Sequence, residues 1–258
     1  MARGSTVHQA HSVRKVWTWT EQRTLIKYIY LDIAELRSDS RGNYYTVFHE
    51  VAHAFDYYYG QDNKDILEEM MKKDGKEFDE STFFTDGYKI DGKTLAERMY
   101  EDAGNNFRME LTKELESSDY DDYSSNEKRQ MVENVTNNLL EQNKLVETLS
   151  KEEIELQKVL DRRYRVDLLL GSDHNTASDV YGGVTNRIIE GSYWHDEDYW
   201  LNDDGTRKRE PNKEGFAEYY GRVMSSTGED RPGIRSIEKF LPGSKQHMDK
   251  IIDLMGKE

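Results

Sequence analysis

Residues 44–58 read Tyr-Tyr-Thr-Val-Phe-His-Glu-Val-Ala-His-Ala-Phe-Asp-Tyr-Tyr and contain the pattern H-E-x-x-H from His49 to His53. Apolar side chains recur every three to four residues, which predicts a helix over this stretch, and Gly60 is well placed to end it. The recurring positions are Tyr45, Phe48, Ala52 and Phe55. Histidines at i and i+4 lie one turn apart on one helix face, so both imidazoles can reach a single metal ion.

Two acidic residues of this helix are candidates for the chemistry of the site. Glu50 lies about 100° around the helix axis from His49, near enough to contact a water on the ion rather than the ion itself. Asp56, one turn after His53, could accept a proton from a ligand imidazole and fix its tautomer, or be an acid on the helix surface. The alternative for the whole motif is two histidines held by hydrogen bonds on a buried helix face.

A catalytic zinc ion needs a third protein ligand and an open position. The metzincin pattern would place a histidine at position 59, where this chain has Tyr59. His174 and His195 are two candidates. The segment Glu214-Gly-Phe-Ala-Glu218 is a third, because its carboxylates lie one turn apart on an otherwise apolar helix segment. In so acidic a chain, two solvated glutamates are the alternative for that pair.

Composition excludes several classes of protein. The 258 residues carry 36 basic and 51 acidic side chains, for a formal charge of −15, without a basic block that could bind nucleic-acid phosphates. No apolar stretch approaches the length of a membrane span, and the N-terminus lacks the apolar core of a signal peptide. The chain has no cysteine, which excludes disulfides, thiolate metal sites and cysteine nucleophiles. We therefore expect a globular protein with neither a membrane nor a nucleic-acid partner.

The composition changes twice along the chain and predicts three parts. Residues 1–60 carry the H-E-x-x-H helix and a predicted strand at 27–33, residues 61–170 form an acidic helical insertion, and residues 171–258 carry the Glu214 helix. The expected fold class is α+β with helices predominant, in which a small sheet lies over the H-E-x-x-H helix and the Glu214 helix crosses it.

Helix starts are predicted inside the insertion and near the C-terminus. Ser124-x-x-Glu127 and Ser150-x-x-Glu153 are capping-box patterns, in which each side chain satisfies the other residue's backbone N–H. Apolar spacing predicts the further helices. The helices expected on these grounds span 94–115, 124–140, 150 to about 164, 212 or 213 to about 225, and 244–255.

The H-E-x-x-H helix followed by Glu214-Gly-Phe-Ala-Glu218 resembles the H-E-x-x-H plus E-x-F-A-E signature of the lethal-factor-like zinc metallopeptidases, which are gluzincins of the zincin fold. Residues 178–200 resemble still more closely the metallopeptidase-like domain of phage minor head (head morphogenesis) proteins. The likeness covers roughly residues 27–60 and 178–256 and leaves out the helical middle.

The resemblance implies a role for each motif residue. His49, His53 and Glu214 become zinc ligands, Glu50 becomes the general base, and Glu218 becomes a residue that supports the ligands without binding the metal. The implied fold is zincin-like, with a long helical insertion, and the implied cofactor is Zn²⁺.

At the position expected for the residue that stabilises the oxyanion, this chain differs from the family pattern. Lethal-factor-like enzymes carry a tyrosine shortly before the third ligand, whereas this chain has Arg207 seven residues before Glu214. Tyr199 is the better candidate for this role, and His195 or Tyr193 is the next candidate. An aromatic packing role is the alternative for Tyr199.

The expected function is hydrolysis of peptide bonds by a zinc-dependent endopeptidase encoded by a phage or prophage, located in the bacterial cytoplasm or the virion. Its expected partner is a protein or peptide substrate, and the negative charge favours basic or neutral stretches. The alternative is a phage head or assembly protein with a vestigial or narrow-specificity zinc site, whose partners would be portal or capsid proteins. An exported toxin peptidase is a third hypothesis. The intact Glu50 favours an enzyme, because a purely structural zinc site does not need that base.

Overall fold

The structure is a computed structural model that describes residues 45–140, 149–169, 180–185, 195–204, 206–225 and 232–256. Its helices are, in chain order, α1 Tyr45–Asp62, α2 Lys64–Lys72, α3 Phe84–Gly87, α4 Leu95–Leu115, α5 Ser125–Leu140, α6 Lys151–Leu169, α7 Glu197–Trp200, α8 Glu210–Ser225, α9 Pro232–Phe240 and α10 Pro242–Met255. A 3₁₀ turn spans Ser118–Tyr120, and residues 180–184 are helical. Among the described helices, none is long and apolar enough to cross a membrane.

The described residues form helices packed on helices, so the expected α+β class with a small sheet is wrong for them. The β-type pairings within these ranges are isolated bridges that close short turns, one between Ile90 and Lys93 and one between Leu201 and Arg207. The H-E-x-x-H helix α1 packs most extensively on α8, the Glu214 helix that was expected to cross it. The predicted strand at 27–33 lies outside the described residues.

The central helix of the fold is α4, which packs against α5, α6, α8, α9 and α10. Thr94 caps its N-terminus in a reciprocal pair with Glu97, whose carboxylate accepts the Thr94 N–H at 2.7 Å. One apolar face of α4 is completely buried, at Leu95, Met99, Ala103, Phe107 and Leu111. The middle of the chain therefore contributes to the same hydrophobic core as the two terminal parts.

Both predicted capping boxes in the middle of the chain are confirmed. The Ser124 N–H donates to Glu127 Oε2 at 2.8 Å, and the Glu127 N–H donates to Ser124 Oγ at 3.4 Å. Ser150 and Glu153 make the same pair at 2.7 and 3.2 Å. These local hydrogen bonds start α5 and α6 at the expected positions, although α6 continues beyond its predicted end to Leu169.

Side chains of neighbouring helices fix the starts of α4 and α10. Asn212 of α8 accepts the N–H of Ala96 in the first turn of α4 at 2.7 Å, which ties these two helices together. Asp102 of α4 accepts the Ser244 N–H at 2.7 Å at the start of α10. Helix α10 begins at Pro242, two residues before the predicted start, because proline fits the first turn of a helix.

The helix α1 does not end at Gly60, as the sequence predicted, but continues to Asp62. A Cβ atom at position 60 would lie 2.6 Å from the backbone N of Phe84 and 2.9 Å from the backbone C of Phe83. The glycine therefore allows the start of α3 to lie directly against α1 rather than breaking the helix. The predicted apolar stripe also fails at Phe55, which is 49% exposed.

We expect Gly60→Ala to lower the free energy of unfolding by about 1–3 kcal/mol, because the added methyl group meets backbone atoms that cannot rotate away. Thermal unfolding followed by circular dichroism measures this change. Gly104→Ala in α4 is the control, since its Cβ would meet the movable ends of Leu140 and Arg108 at 3.0 and 3.1 Å. Equal melting temperatures for Gly60→Ala and the parent protein would contradict this explanation of the tight contact.

Candidate metal centre

Three side chains from α1 and α8 converge at one point. The Nε2 atoms of His49 and His53 are 3.2 Å apart. His49 Nε2 lies 3.4 Å from Glu214 Oε2, and His53 Nε2 lies 3.6 Å from Glu214 Oε1. Among the described residues, these are the three whose potential ligand atoms all lie within 4.8 Å of one another. The structure thus brings together the three expected ligands, although 161 positions separate His53 from Glu214.

The spacing of these donor atoms fits a zinc ion. Ligands of a tetrahedral zinc lie about 2.1 Å from the ion and therefore about 3.4 Å from one another. The two Nε2 atoms are 3.2 Å apart, and they lie 3.4 and 3.6 Å from the two different oxygens of Glu214, so these distances are close to that value. Two imidazoles and one carboxylate are also a donor set that catalytic zinc sites use, since they leave the fourth position free.

The electrostatics of the cluster keep its carboxylate ionised. Burial by itself would raise the pKa of Glu214, but the hydrogen bonds from His49 and His53 outweigh it and hold this pKa well below its usual range. Burial likewise disfavours protonated His49, yet the hydrogen bond to Glu214 and the charges of Glu218, Glu214 and Glu50 raise its pKa. A buried, ionised carboxylate beside two imidazoles is suited to bind a cation.

Three further side chains, Glu218, Tyr45 and Arg222, lie on the Nδ1 side of the His49 ring. Glu218, which is 1% exposed, places Oε1 at 3.5 Å from His49 Nδ1, on the ring edge opposite the cluster. Its other oxygen accepts a hydrogen bond from the Tyr45 hydroxyl, and the Arg222 guanidinium lies 4.7 Å from the centre of the Tyr45 ring. A carboxylate on the far nitrogen orients a ligand imidazole and increases its basicity.

Sequence reasoning missed the roles of Tyr45 and Arg222 at this site. The signal was present in the spacing, because Tyr45 precedes His49 by four residues and Arg222 follows Glu218 by four. Positions four apart share a helix face, so Tyr45 lies on the same face of α1 as His49, and Arg222 lies on the same face of α8 as Glu218.

The close approach of α8 to α1 depends on Gly221. A Cβ atom there would lie 3.0 Å from Cε2 of Tyr45 and 3.3 Å from the backbone N of His49. The missing side chain lets the two helices lie near enough for Glu214 and Glu218 to reach the histidines.

Tyr199, the candidate for stabilising the oxyanion, lies at the cluster. Its hydroxyl donates to Glu214 Oε1, and its ring stacks on His195 with centroids 3.9 Å apart. Trp200 packs edge-on against Tyr199 at 4.9 Å. His195 therefore contacts Tyr199 rather than joining the three converging donors. The other candidates, His174 and Tyr193, lie outside the described residues.

Two further residues discussed from the sequence have defined positions. Glu50 is partly buried on α1, and its charge contributes to the raised pKa of His49. Arg207, which stands where the resemblance leads one to expect a tyrosine, stacks its guanidinium 3.5 Å from the centre of the Tyr100 ring.

Asp56 is completely buried, so it is not an acid on the helix surface. Its carboxylate accepts hydrogen bonds from the Thr85 N–H at 2.9 Å and the Thr85 hydroxyl at 2.6 Å, and also from the backbone N–H of Phe84. These bonds hold α3 against α1 beside the cluster. Its expected bond to a ligand imidazole is not among them.

A second buried acid, Asp86, lies near Asp56. Burial raises the pKa of Asp56 to about 7 against the lowering effect of its bonds from Thr85. Burial also raises the pKa of Asp86 to about 7, while the charge of Lys213 opposes the change. The folded protein therefore binds these two protons more tightly than the unfolded chain does.

This tighter proton binding predicts that both acids make the free energy of unfolding fall as the pH rises from about 4 to about 7. Asp86→Asn removes one contribution. Both melting temperatures are compared at pH 5 and pH 8. We expect the fall for Asp86→Asn to be smaller than the fall for the parent protein, and the difference between the two falls to be on the order of 5 °C. The exposed Asp121→Asn is the control and should follow the parent. Parallel curves for Asp86→Asn and the parent would show that Asp86 ionises normally in the folded protein.

Comparison of the chain with protein families, with curated proteins and with solved structures finds no match.

Proposed function

We propose that the protein is a zinc-dependent metallopeptidase of the gluzincin type, with His49, His53 and Glu214 as ligands. The observation that carries the proposal is the convergence of the three side chains: the two Nε2 atoms are 3.2 Å apart and lie 3.4 and 3.6 Å from the Oε2 and Oε1 atoms of Glu214, close to the spacing of donors around tetrahedral zinc. The sequence resemblance to lethal-factor-like enzymes and to phage minor head proteins supports the same assignment and suggests a phage or prophage origin.

The residues of the chain divide the chemistry among them. When bound, zinc lowers the pKa of a water molecule to about 7 and polarises the peptide carbonyl. Glu50 takes the proton of the attacking water and delivers it to the leaving amine. The Tyr199 hydroxyl, which donates to Glu214 in the structure, would turn its hydrogen bond to the oxyanion as it forms. Glu218, which accepts from Tyr45 and lies 3.5 Å from His49 Nδ1, would help to hold the His49 ring in place.

Two features favour an enzyme over an assembly protein with a vestigial or structural zinc site. Structural zinc sites are closed by four protein ligands, whereas the part of the chain that the structure describes brings three together. Glu50, the proposed base, acts electrostatically on His49, and the Tyr199 hydroxyl contacts Glu214. Neither group is needed to hold a structural ion.

The test is cleavage of a peptide library by the full chain, with products identified by mass spectrometry. We expect cleavage by the zinc-loaded protein, at least about 100-fold less after treatment with 1,10-phenanthroline, and recovery on adding zinc. Cleavage that survives chelation would exclude the metal mechanism. A protein that binds zinc and cleaves nothing would instead favour the assembly role with portal or capsid partners.

A further inference from the structure

The Tyr45 side chain, at the start of α1, is completely buried where α1 meets α8, the two helices that carry the proposed metal ligands. Its ring lies against Gly221 of α8, where a Cβ atom would be 3.0 Å from Cε2 and 3.3 Å from Cδ2 of the tyrosine. The Arg222 guanidinium lies 4.7 Å from the ring centre. Close packing of this kind allows the ring little movement, so the hydroxyl has a fixed position.

The Tyr45 hydroxyl holds one oxygen of the Glu218 carboxylate. It donates a hydrogen bond to Glu218 Oε2, and this contact joins two buried groups that are 173 positions apart in the sequence. The last torsion of a glutamate side chain has broad energy minima, so a carboxylate without such a bond can rotate. With Oε2 held, Oε1 lies 3.5 Å from Nδ1 of His49. The position of the hydroxyl therefore decides which carboxylate oxygen lies near His49.

The nitrogen of His49 that Glu218 approaches matters for metal binding. A neutral imidazole carries its proton on one nitrogen and can bind a metal only through the other. An ionised carboxylate only accepts hydrogen bonds, so Oε1 favours the form of His49 with its proton on Nδ1. The lone pair is then on Nε2, the atom that lies 3.2 Å from His53 Nε2 and 3.4 Å from Glu214 Oε2.

We infer that Tyr45 is a positioning residue of the metal centre, which acts on His49 through Glu218. The hydroxyl keeps the carboxylate turned toward Nδ1, and the carboxylate keeps the imidazole in the form and orientation that binds a metal through Nε2. Outer partners of this kind typically contribute about 10- to 100-fold to metal affinity. The inference rests on the proposed zinc site and adds to it a residue outside the H-E-x-x-H and Glu214–Glu218 motifs.

Tyr219 offers a matched control, because its hydroxyl makes a similar contact with a partner other than Glu218. Its side chain is 2% exposed, and its hydroxyl donates to Asp249 Oδ1 of α10. Tyr219→Phe therefore removes a hydrogen bond from a hydroxyl to a carboxylate between two helices, as Tyr45→Phe does. If the Tyr45 hydroxyl only stabilised packing, the two substitutions would have the same effect on zinc affinity.

The test measures the zinc affinity of the full chain by competition with a chromogenic chelator. We expect Tyr45→Phe to bind zinc about tenfold more weakly than the parent protein, and Tyr219→Phe to bind it as the parent does. Circular dichroism checks that both variants keep their helices. In a Glu218→Ala background, Tyr45→Phe should cause no further loss, since the hydroxyl acts through that carboxylate. Equal affinities of Tyr45→Phe and Tyr219→Phe would overturn the inference, and so would an undiminished loss in the Glu218→Ala background.

The parent protein gives a second measurement that needs no variant. In the zinc-loaded chain with isotope-labelled histidine, NMR should show a histidine N–H that is shifted downfield and exchanges slowly, as expected for Nδ1–H bonded to a buried carboxylate. A spectrum without such a signal would overturn the inference even if Tyr45→Phe did not fold. A parent protein that binds no zinc would defeat the proposed function and this inference with it. A protein that binds zinc and cleaves peptides, but whose zinc affinity Tyr45→Phe leaves unchanged, would defeat only the role of Tyr45.

Discussion

Glu50→Gln is expected to reduce peptide hydrolysis at least about 100-fold, and up to about 10⁴-fold, while the protein keeps its zinc. The amide has nearly the shape of the carboxylate, so the helix and the ligands should be undisturbed. It cannot accept the proton of the attacking water or return it to the leaving amine. The rate is measured on a cleaved library peptide, and zinc is measured by plasma mass spectrometry.

The matched control for Glu50→Gln is Asp62→Asn, which makes the same acid-to-amide change at an exposed position of the same helix. It should cleave at the parent rate. If Glu50→Gln also cleaved at the parent rate with zinc bound, Glu50 would not be the base. If it lost zinc as well as activity, Glu50 would belong to the metal site itself.

The second large effect is expected for Glu214→Ala, which should weaken zinc binding by at least about 100-fold. Partners that merely support a ligand already contribute 10- to 100-fold to affinity, and Glu214 is one of three direct donors in the proposal. Competition with a chromogenic chelator measures the affinity. Circular dichroism of the metal-free variant shows whether the helices remain.

Glu210→Ala is the matched control for this variant, because it removes the same side chain one turn earlier on α8. Its carboxylate pairs with Lys213 and does not reach the two histidines, so zinc affinity should stay at the parent value. A Glu214→Ala protein that binds zinc as tightly as the parent would require a different third ligand.

Local patterns could be predicted from the sequence because they depend on neighbouring residues. The i, i+4 spacing of His49 and His53 places both rings on one face, and the Ser124–Glu127 pair starts a helix with its own side chains. The Glu214 helix was predicted for the same reason. Its pairing with the two histidines was one candidate beside His174 and His195, and the resemblance singled it out, since spacing carries no information across 161 positions.

The errors arose where tertiary packing decides the outcome. Gly60 has the composition of a helix end, but the backbone of Phe84 approaches it from elsewhere in the chain and the helix continues. Asp56 was expected to be a surface acid or an imidazole partner, but it is buried and accepts hydrogen bonds from Thr85, 29 positions away. A sheet was expected over α1, and the described residues form none there.

The most direct test of the account is the zinc content of the purified full chain, measured by plasma mass spectrometry after dialysis against metal-free buffer. The proposed ligand set predicts about one zinc per chain, with an X-ray absorption spectrum of nitrogen and oxygen donors that includes two imidazoles. A chain that holds no zinc even after reconstitution would contradict it. His49, His53 and Glu214 would then be a hydrogen-bonded cluster in the interior of a helical protein.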